Sequence, residues 1–194
     1  MKVINDTQKT YNTVIILDYG SQYSKLIARR VRECNVYSEI INPHVEKSEL
    51  EHLNIKGIIL SGGPSDINNS SSPKIPEWLY DFDVPILGIC YGLQAIIYND
   101  GGIVSSDSNS EYGNAEINLI SDSDPLFQNC DQNFNVWMSH GDSVSEIPKY
   151  YELLASTDSC KYAAVKFNNI YGIQFHPEVV HTQNGKQIIF NFVN

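Results

Sequence analysis

The stretch Val84–Ile97, with the sequence VPILGICYGLQAII, decides the fold of this 194-residue chain. It opens with a short apolar run that ends at Cys90, and a second apolar segment starts at Tyr91. Short, nearly continuous apolar runs are typical of strands that are buried on both faces of a parallel sheet. The stretch therefore predicts a buried strand over 85–90 that leads directly into a helix.

Two further apolar runs, Val14–Leu17 and Gly57–Leu60, are each followed by turn residues and predict two more buried strands. Between them, apolar residues at helical spacing over 26–31 predict a helix, and residues 36–40 predict another strand. This alternation of strands and helices indicates an α/β fold with a mostly parallel central sheet flanked by helices.

The second half of the chain has a different pattern, with short strands that no helix separates. Asn168-Asn169 lies between two of them and predicts a hairpin, and residues 187–193 predict a closing helix. Two stretches rich in turn residues, Ser65–Pro73 and Gly101–Ser110, are predicted to be loops. We expect one domain over 1–194 with a smaller antiparallel sheet in its second half, from strands at 115–120, 136–138, 153–156, 162–167 and 170–175.

The composition is that of an acidic globular domain, with 13 Lys and Arg against 23 Asp and Glu and a formal net charge of −10. This balance argues against nucleic-acid and anionic-membrane partners, because both bind clustered basic residues. The apolar stretch over 84–97 is too short to span a bilayer, and the polar start Met1–Thr13 has no signal-peptide core. Four scattered cysteines indicate a reducing compartment, so we expect a cytoplasmic protein.

Residues 88–92, Gly-Ile-Cys-Tyr-Gly, have the G-x-C-x-G pattern of a nucleophile elbow between a strand and a helix. The glycines permit a sharp turn that lifts Cys90 above the sheet edge, where the free N–H groups of the helix start point at its sulfur. A buried core cysteine is the alternative interpretation. The position between strand and helix favours the nucleophile.

A base for this thiol is offered by His176-Pro177-Glu178, which follows a predicted strand. The imidazole can take and return a proton, while the carboxylate two residues on can hold its other nitrogen. Sites in α/β folds gather at the ends of strands, which is where this segment lies. The polar turn Ser139–Asp142, which contains His140, also follows a predicted strand and is expected to line the same pocket.

The loop Ser61-Gly62-Gly63-Pro64 can bring backbone N–H groups close to a ligand and supply half of an oxyanion hole, with the N–H of Tyr91 as the other half. A phosphate-binding loop is the competing interpretation, but Pro64 removes a donor and no G-x-x-x-x-G-K-[ST] motif occurs. Metal-ligand spacings such as H-x-x-H or paired cysteines are also missing, so the sequence predicts no metal site.

Taken together, the motifs resemble the class I, or triad, glutamine amidotransferases, and among them the GMP synthetase branch. The likeness runs from about Val14 to Val193, almost the whole chain. It implies the family's flavodoxin-like fold. The motifs that carry it are DYGSQY at 18–23, GICYGLQ at 88–94, VWMSHGD at 136–142 and QFHPEVVHT at 174–182.

The resemblance implies a role for each matching residue. Cys90 would attack the carboxamide carbon of L-glutamine and form a γ-glutamyl thioester. His176 would protonate the departing ammonia and then activate water, while Glu178 orients the imidazole. The oxyanion would be held by the N–H groups of Gly63 and Tyr91. The amino-acid end of glutamine would be bound by Gln94, Ser139, His140 and Asp142.

The same resemblance implies a partner, the ATP-pyrophosphatase domain or subunit of GMP synthetase, which uses the ammonia to convert XMP to GMP. ATP and Mg²⁺ are expected only there, so no cofactor is expected in this chain. No S-G-G-x-D-S phosphate loop occurs, and the chain would be either a separate subunit or part of a longer polypeptide. One departure is Ser110, which stands where the family usually has a basic residue before Glu111-Tyr112-Gly113.

Three alternative functions remain open at this point. One is a glutaminase subunit of another triad amidotransferase, feeding carbamoyl phosphate, anthranilate or CTP synthesis; the motifs at 18–23 and 174–182 favour the GMP branch. Another is a silent regulatory module, which predicts a missing triad member, whereas all three are present. A cysteine peptidase on a related fold is disfavoured by the motifs of the glutamine pocket.

Overall fold

The computed structural model describes residues 11–106, 110–120 and 123–194. Its strands are β1 (Asn12–Leu17), β2 (Tyr37–Ile41), β3 (Asn54–Leu60), β4 (Ile86–Ile89), β5 (Ile103–Ser105), β6 (Glu111–Leu119), β7 (Asn133–His140), β8 (Ser143–Glu146), β9 (Glu152–Ser156), β10 (Ala164–Phe167) and β11 (Ile170–Ile173). Its helices are α1 (Ser24–Glu33), α2 (Lys47–Leu50), α3 (Tyr91–Asn99) and α4 (Gly185–Val193), with 3-10 turns at Glu77–Asp81 and Pro125–Phe127. None of the helices in these ranges is long and apolar enough to cross a membrane.

One large sheet contains nine of these strands, in the order β2-β1-β3-β4-β11-β10-β9-β6-β7. The strands from β2 to β11 in this order run parallel, and those from β11 to β7 pair antiparallel. Strand β11 joins the two halves, because it is parallel to β4 and antiparallel to β10. The predicted α/β fold with a large central sheet and a smaller antiparallel sheet is confirmed. The second-half strands that were predicted for the smaller sheet extend the large one through β11, however, and the smaller sheet is formed by β5 and β8.

Apolar residues fill both faces of the parallel half. In β1, Val14 and Ile16 pack with residues of α1 and α4, whereas Ile15 and Leu17 pack with residues of α3 on the opposite face. Such a strand needs apolar side chains at consecutive positions, which is why β1, β3 and β4 read as continuous apolar runs in the sequence.

Most of the remaining predictions are confirmed, and the main difference lies in the second half of the chain. The hairpin at Asn168-Asn169, the loop over 65–73 and the helices over 26–31, 91–97 and 187–193 are confirmed. The loop predicted over 101–110 was wrong in part, because it contains β5, which pairs with β8 in a separate antiparallel sheet. At three residues, β5 is too short to show an alternation in sequence. Residues 107–109 of that loop and residues 1–10 of the polar start lie outside the described residues.

Candidate active site

The turn between β4 and α3 holds Cys90 in an unusual backbone conformation. Its φ is 52° and its ψ is −107°, outside the regions that residues with a side chain prefer. The backbone N–H of Cys90 donates to the carbonyl of Ile173 in β11 at 2.8 Å, and its carbonyl accepts from the N–H of Gln94 at 3.1 Å. These bonds fix the strained turn, and strain of this kind is typical of functional sites.

Two glycines make the turn possible, as the G-x-C-x-G pattern predicted. A Cβ atom on Gly92 would lie 2.4 Å from the carbonyl oxygen of Leu60 in β3, and one on Gly88 would lie 2.6 Å from the carbonyl carbon of Gly92. Both distances are below any van der Waals contact. The helix can therefore start directly behind Cys90 only because these two positions lack side chains.

His176 and Glu178 are both buried, and the histidine is placed between the cysteine and the carboxylate. The Nδ1 atom of His176 lies 2.8 Å from Oε1 of Glu178, which has no exposed surface. Burial alone would lower the pKa of His176, but its hydrogen bonds with Cys90 and Glu178 outweigh that effect and raise the pKa to about 10. The two neighbours therefore favour the protonated form of the imidazole, which is the form that can donate a proton.

Neighbouring loops hold the histidine in this position. Its backbone N–H donates to the carbonyl of Trp137 in β7 at 3.0 Å, and its carbonyl accepts from the hydroxyl of Thr182 at 2.6 Å. The ring of Tyr23 packs edge-on against the imidazole with a centroid distance of 5.2 Å. The sequence analysis used the DYGSQY motif only for the resemblance and missed this contact, although the position of the motif after β1 is a signal for it.

A cavity of about 530 Å³ opens next to Cys90 and His176. Its wall includes five more of the predicted residues, Gly63, Gln94, Ser139, His140 and Asp142, together with Tyr23 and Tyr112, which the sequence analysis did not select. Two predicted residues, Tyr91 and Glu178, do not line the cavity. The hydroxyl of Tyr91 donates to the carbonyl of Pro73 at 2.6 Å, and Glu178 lies behind His176. The role predicted for Tyr91 needs only its backbone N–H.

The predicted glutamine-binding residues are tied to one another and to the nucleophile. The thiol of Cys90 donates to the carbonyl of Ser139 at 3.7 Å. The amide of Gln94 donates to the carbonyl of Asp142 at 2.7 Å, so the side chain of Gln94 braces the loop after β7. The Nε2 atom of His140 lies 3.3 Å from Oε2 of Glu111. Burial lowers the pKa of His140, and this effect outweighs the nearby carboxylate, which raises it.

The profile of the class-I glutamine amidotransferases matches residues 15–194 of the chain. The chain belongs to this family. The glutamine-hydrolysing GMP synthase of Brachyspira hyodysenteriae is 50% identical over 188 residues, which are 96% of this chain and 36% of that protein. That of Thermobifida fusca is 45% identical over 195 residues, 100% of this chain and 37% of that protein. This amidotransferase chain therefore spans about a third of the length of these relatives.

Solved structures agree with the fold of this amidotransferase. A Thermoplasma acidophilum protein, assigned as one subunit of a GMP synthase, superposes with a TM-score of 0.81 at 28% identity, over 94% of this chain and 92% of that one. A glutamine amidotransferase of Thermotoga maritima, 20% identical, superposes with a TM-score of 0.68 over 87% and 77% of the two chains and shares the fold. The first of these proteins is close to this chain in length as well as in fold.

The loop after β3 brings glycine backbone close to the cavity that holds Cys90 and His176. A Cβ atom on Gly63 would lie 2.5 Å from the carbonyl oxygen of Tyr19, and one on Gly62 would lie 3.2 Å from Cε1 of His176. A side chain at Gly63 would therefore clash with the backbone of Tyr19, and one at Gly62 would crowd His176. The arrangement suits backbone N–H groups that must approach a substrate closely.

Arg30 also contacts the candidate site, although no motif in the sequence indicated it. Its side chain is buried on α1. Its Nε donates to the backbone carbonyl of Glu178 at 3.0 Å, and its Nη1 pairs with Glu33 at 2.8 Å. The contact joins residues that are 148 positions apart, so no local pattern in the sequence could show it.

Proposed function

We propose that this chain hydrolyses L-glutamine to glutamate and ammonia, with Cys90 as the nucleophile. One observation carries the proposal. The strained turn places Cys90 in the wall of a cavity of about 530 Å³, and the same wall contains His176, whose Nδ1 lies 2.8 Å from Oε1 of Glu178. This combination of nucleophile, base and orienting carboxylate is what acyl transfer from an amide requires.

In the first half of the reaction, the sulfur of Cys90 attacks the carboxamide carbon of glutamine while His176 holds the proton of the pair. The oxyanion that forms accepts hydrogen bonds from the backbone N–H groups of Gly63 and Tyr91. His176 then donates its proton to the nitrogen as the carbon–nitrogen bond breaks. Ammonia leaves, and a γ-glutamyl thioester remains on Cys90.

In the second half, water replaces ammonia in the cavity. His176 takes a proton from the water while the water oxygen attacks the thioester carbon. This proton stays in the pair of His176 and Cys90 as the carbon–sulfur bond breaks. Glutamate is released and the cysteine is restored. One glutamine and one water thus give one glutamate and one ammonia.

The amino-acid end of glutamine is bound by Gln94, Ser139, His140 and Asp142 in this proposal. Support comes from their common position in the wall of the cavity that holds Cys90 and His176. The bond from Gln94 to the loop at Asp142 supports it as well, because it fixes that loop before substrate arrives.

We further propose that the ammonia serves an ATP-pyrophosphatase domain or subunit that converts XMP to GMP, with ATP and Mg²⁺ bound only there. Support comes from the identity of 50% and 45% to GMP synthases, which are almost three times as long as this chain. A cytoplasmic location fits this proposal, since a thiol nucleophile must stay reduced to act.

A turnover assay tests the hydrolytic function. We expect the chain to release glutamate and ammonia from glutamine in equal amounts, and Cys90→Ala to lose at least about a thousandfold in rate. The matched control is Cys130→Ala, which removes a half-buried thiol outside the cavity and is expected to keep the wild-type rate. Equal turnover by wild type and Cys90→Ala would contradict the mechanism.

A further inference from the structure

Three residues with metal-binding side chains meet beside the cavity, although they are far apart in the sequence. They are Glu111 at the start of β6, His140 at the end of β7 and Cys160 in the loop between β9 and β10. One ligand atom from each lies within 4.8 Å of the other two. Glu111 and His140 face each other directly across the β6–β7 pair. The fold therefore assembles a cluster that no spacing in the sequence could show.

The imidazole and the carboxylate of this cluster are buried against each other. Nε2 of His140 lies 3.3 Å from Oε2 of Glu111, and within the described ranges neither atom makes a well-aligned hydrogen bond; the side chain of His140 is only 2% exposed. The other carboxylate oxygen of Glu111 accepts from the hydroxyls of Ser159 and Thr157. A buried imidazole and carboxylate in this arrangement can both turn a lone pair toward one shared cation.

Cys160 is fixed toward this cluster and has no role in the proposed hydrolysis. Its side chain is buried, its N–H donates to the hydroxyl of Thr157 at 2.9 Å, and its carbonyl accepts from the N–H of Thr157 at 2.9 Å. The short loop at 157–160 thus presents both a thiol and the hydroxyls that hold Glu111.

We propose that Glu111, His140 and Cys160 form a binding site for a divalent transition-metal ion of the Zn²⁺ class. A carboxylate oxygen, an imidazole nitrogen and a thiolate sulfur are a donor set that such ions prefer, whereas Mg²⁺ and Ca²⁺ prefer oxygen alone. Three protein ligands leave a fourth coordination position open. The thiol of Cys160 gives up its proton to solvent when the ion binds.

A route to the site is also present. Glu111 lines a second, surface cavity of about 390 Å³, together with Glu116 and Asp158. These acidic side chains attract cations, and the overall charge of −10 has the same sign.

The bound ion would act on the active site through His140. Ser139 precedes His140 in the chain, and its carbonyl accepts the hydrogen bond from the thiol of Cys90. Ser139 and His140 both line the cavity. An ion that holds the His140 ring would fix this loop against adjustment to substrate. This consequence, slower glutamine hydrolysis in the presence of Zn²⁺, rests on the proposed function.

Binding of Co²⁺ as an absorbing probe tests the site independently of turnover. The background is Cys90→Ala, so that Cys160 is the only thiol near the cavity among the residues described. We expect one equivalent of Co²⁺ to produce an intense near-ultraviolet thiolate-to-cobalt absorption that Zn²⁺ abolishes by displacement. A further Cys160→Ser substitution should remove the absorption, while Cys130→Ser should leave it unchanged.

Glu111→Gln provides a second variant that keeps the size of the side chain, and it should weaken Co²⁺ binding at least tenfold. Circular dichroism verifies that each variant is folded. Absence of the absorption in Cys90→Ala, or its persistence after Cys160→Ser, would overturn the site even if the chain hydrolyses glutamine. Zn²⁺ inhibition that is equal in wild type and Cys160→Ser would overturn the link to the active site.

Discussion

At the scale of single residues, the carboxylate of Glu178 orients the ring of His176. It is fully buried, and Oε1 lies 2.8 Å from Nδ1 of His176. Its main-chain carbonyl is held by Arg30 from α1. Arg30 thus holds the backbone of Glu178, and the carboxylate of Glu178 in turn orients the imidazole of His176. Arg30 acts in this chain as a positioning residue.

Glu178→Gln tests the electrostatic part of that arrangement, because the amide keeps the size of the side chain and removes its charge. We expect the pKa of His176 to fall from about 10, since one of the interactions that raise it is lost. Turnover of glutamine should fall at least about a hundredfold. NMR titration of the His176 ring protons and steady-state kinetics measure the two effects.

Glu152→Gln is the matched control, since Glu152 is exposed and lies outside the cavity. It should change neither the titration nor the rate. An unaltered His176 titration in Glu178→Gln would show that the carboxylate does not stabilise the imidazolium.

At the scale of elements, the junction of β4 and α3 is the part that the sequence predicted best. The apolar runs of β1, β3 and β4 reflect burial on both faces, and the glycines beside Cys90 reflect contacts closer than a Cβ atom allows. Both features leave a direct trace in the sequence, as an apolar run or as a required glycine. β5 was missed because a strand of three residues has no period to detect, and its partner β8 lies about 40 residues away.

Gly92→Ala tests whether α3 sits against β3 as closely as the structure shows. The added Cβ would lie 2.4 Å from the carbonyl oxygen of Leu60, so the helix must shift away from the strand. We expect the free energy of unfolding to fall by about 1–3 kcal/mol, as for other overpacked sites. Denaturant unfolding followed by circular dichroism measures the change.

Gly141→Ala serves as the comparison, because the atom nearest to its added Cβ is the hydroxyl of Tyr112 at 3.7 Å. That variant should differ from wild type by less than about 0.5 kcal/mol. Equal stability of Gly92→Ala and wild type would contradict the close packing of α3 on β3.

At the scale of the whole molecule, the site lies where the parallel strands end. β3 leads to the glycine loop, β4 leads to Cys90, and β11 leads to His176, so three segments distant in sequence meet at one edge of the sheet. The general rule for α/β folds predicted this meeting from strand positions alone. The contacts of Arg30 with Glu178 and of Glu111 with His140 were not predictable, because they depend on how distant elements pack and on the register of antiparallel strands.

The stability of the folded molecule should depend on pH through His176. Its pKa is raised from 6.5 to about 10, so the folded state binds the proton more tightly than the unfolded state does. The stabilisation of the imidazolium by Glu178 is therefore complete below about pH 6.5 and is lost as the pH rises through about 10. We expect the difference in free energy of unfolding between wild type and Glu178→Gln to be larger at pH 6.5 than at pH 9, and to shrink as the pH rises from about 6.5 to about 10. A difference that grows with pH would contradict the assignment.

Covalent labelling with an electrophile that mimics glutamine tests the central claim most directly. Peptide mapping by mass spectrometry should find the label on Cys90 and not on Cys34, Cys130 or Cys160, and an excess of glutamine should protect Cys90. Glu178→Gln should slow the labelling, because the protonated imidazole that accompanies the thiolate loses one of the interactions that stabilise it. Labelling of a different cysteine, or labelling of Cys90 that glutamine does not slow, would contradict the assignment of Cys90 as the nucleophile.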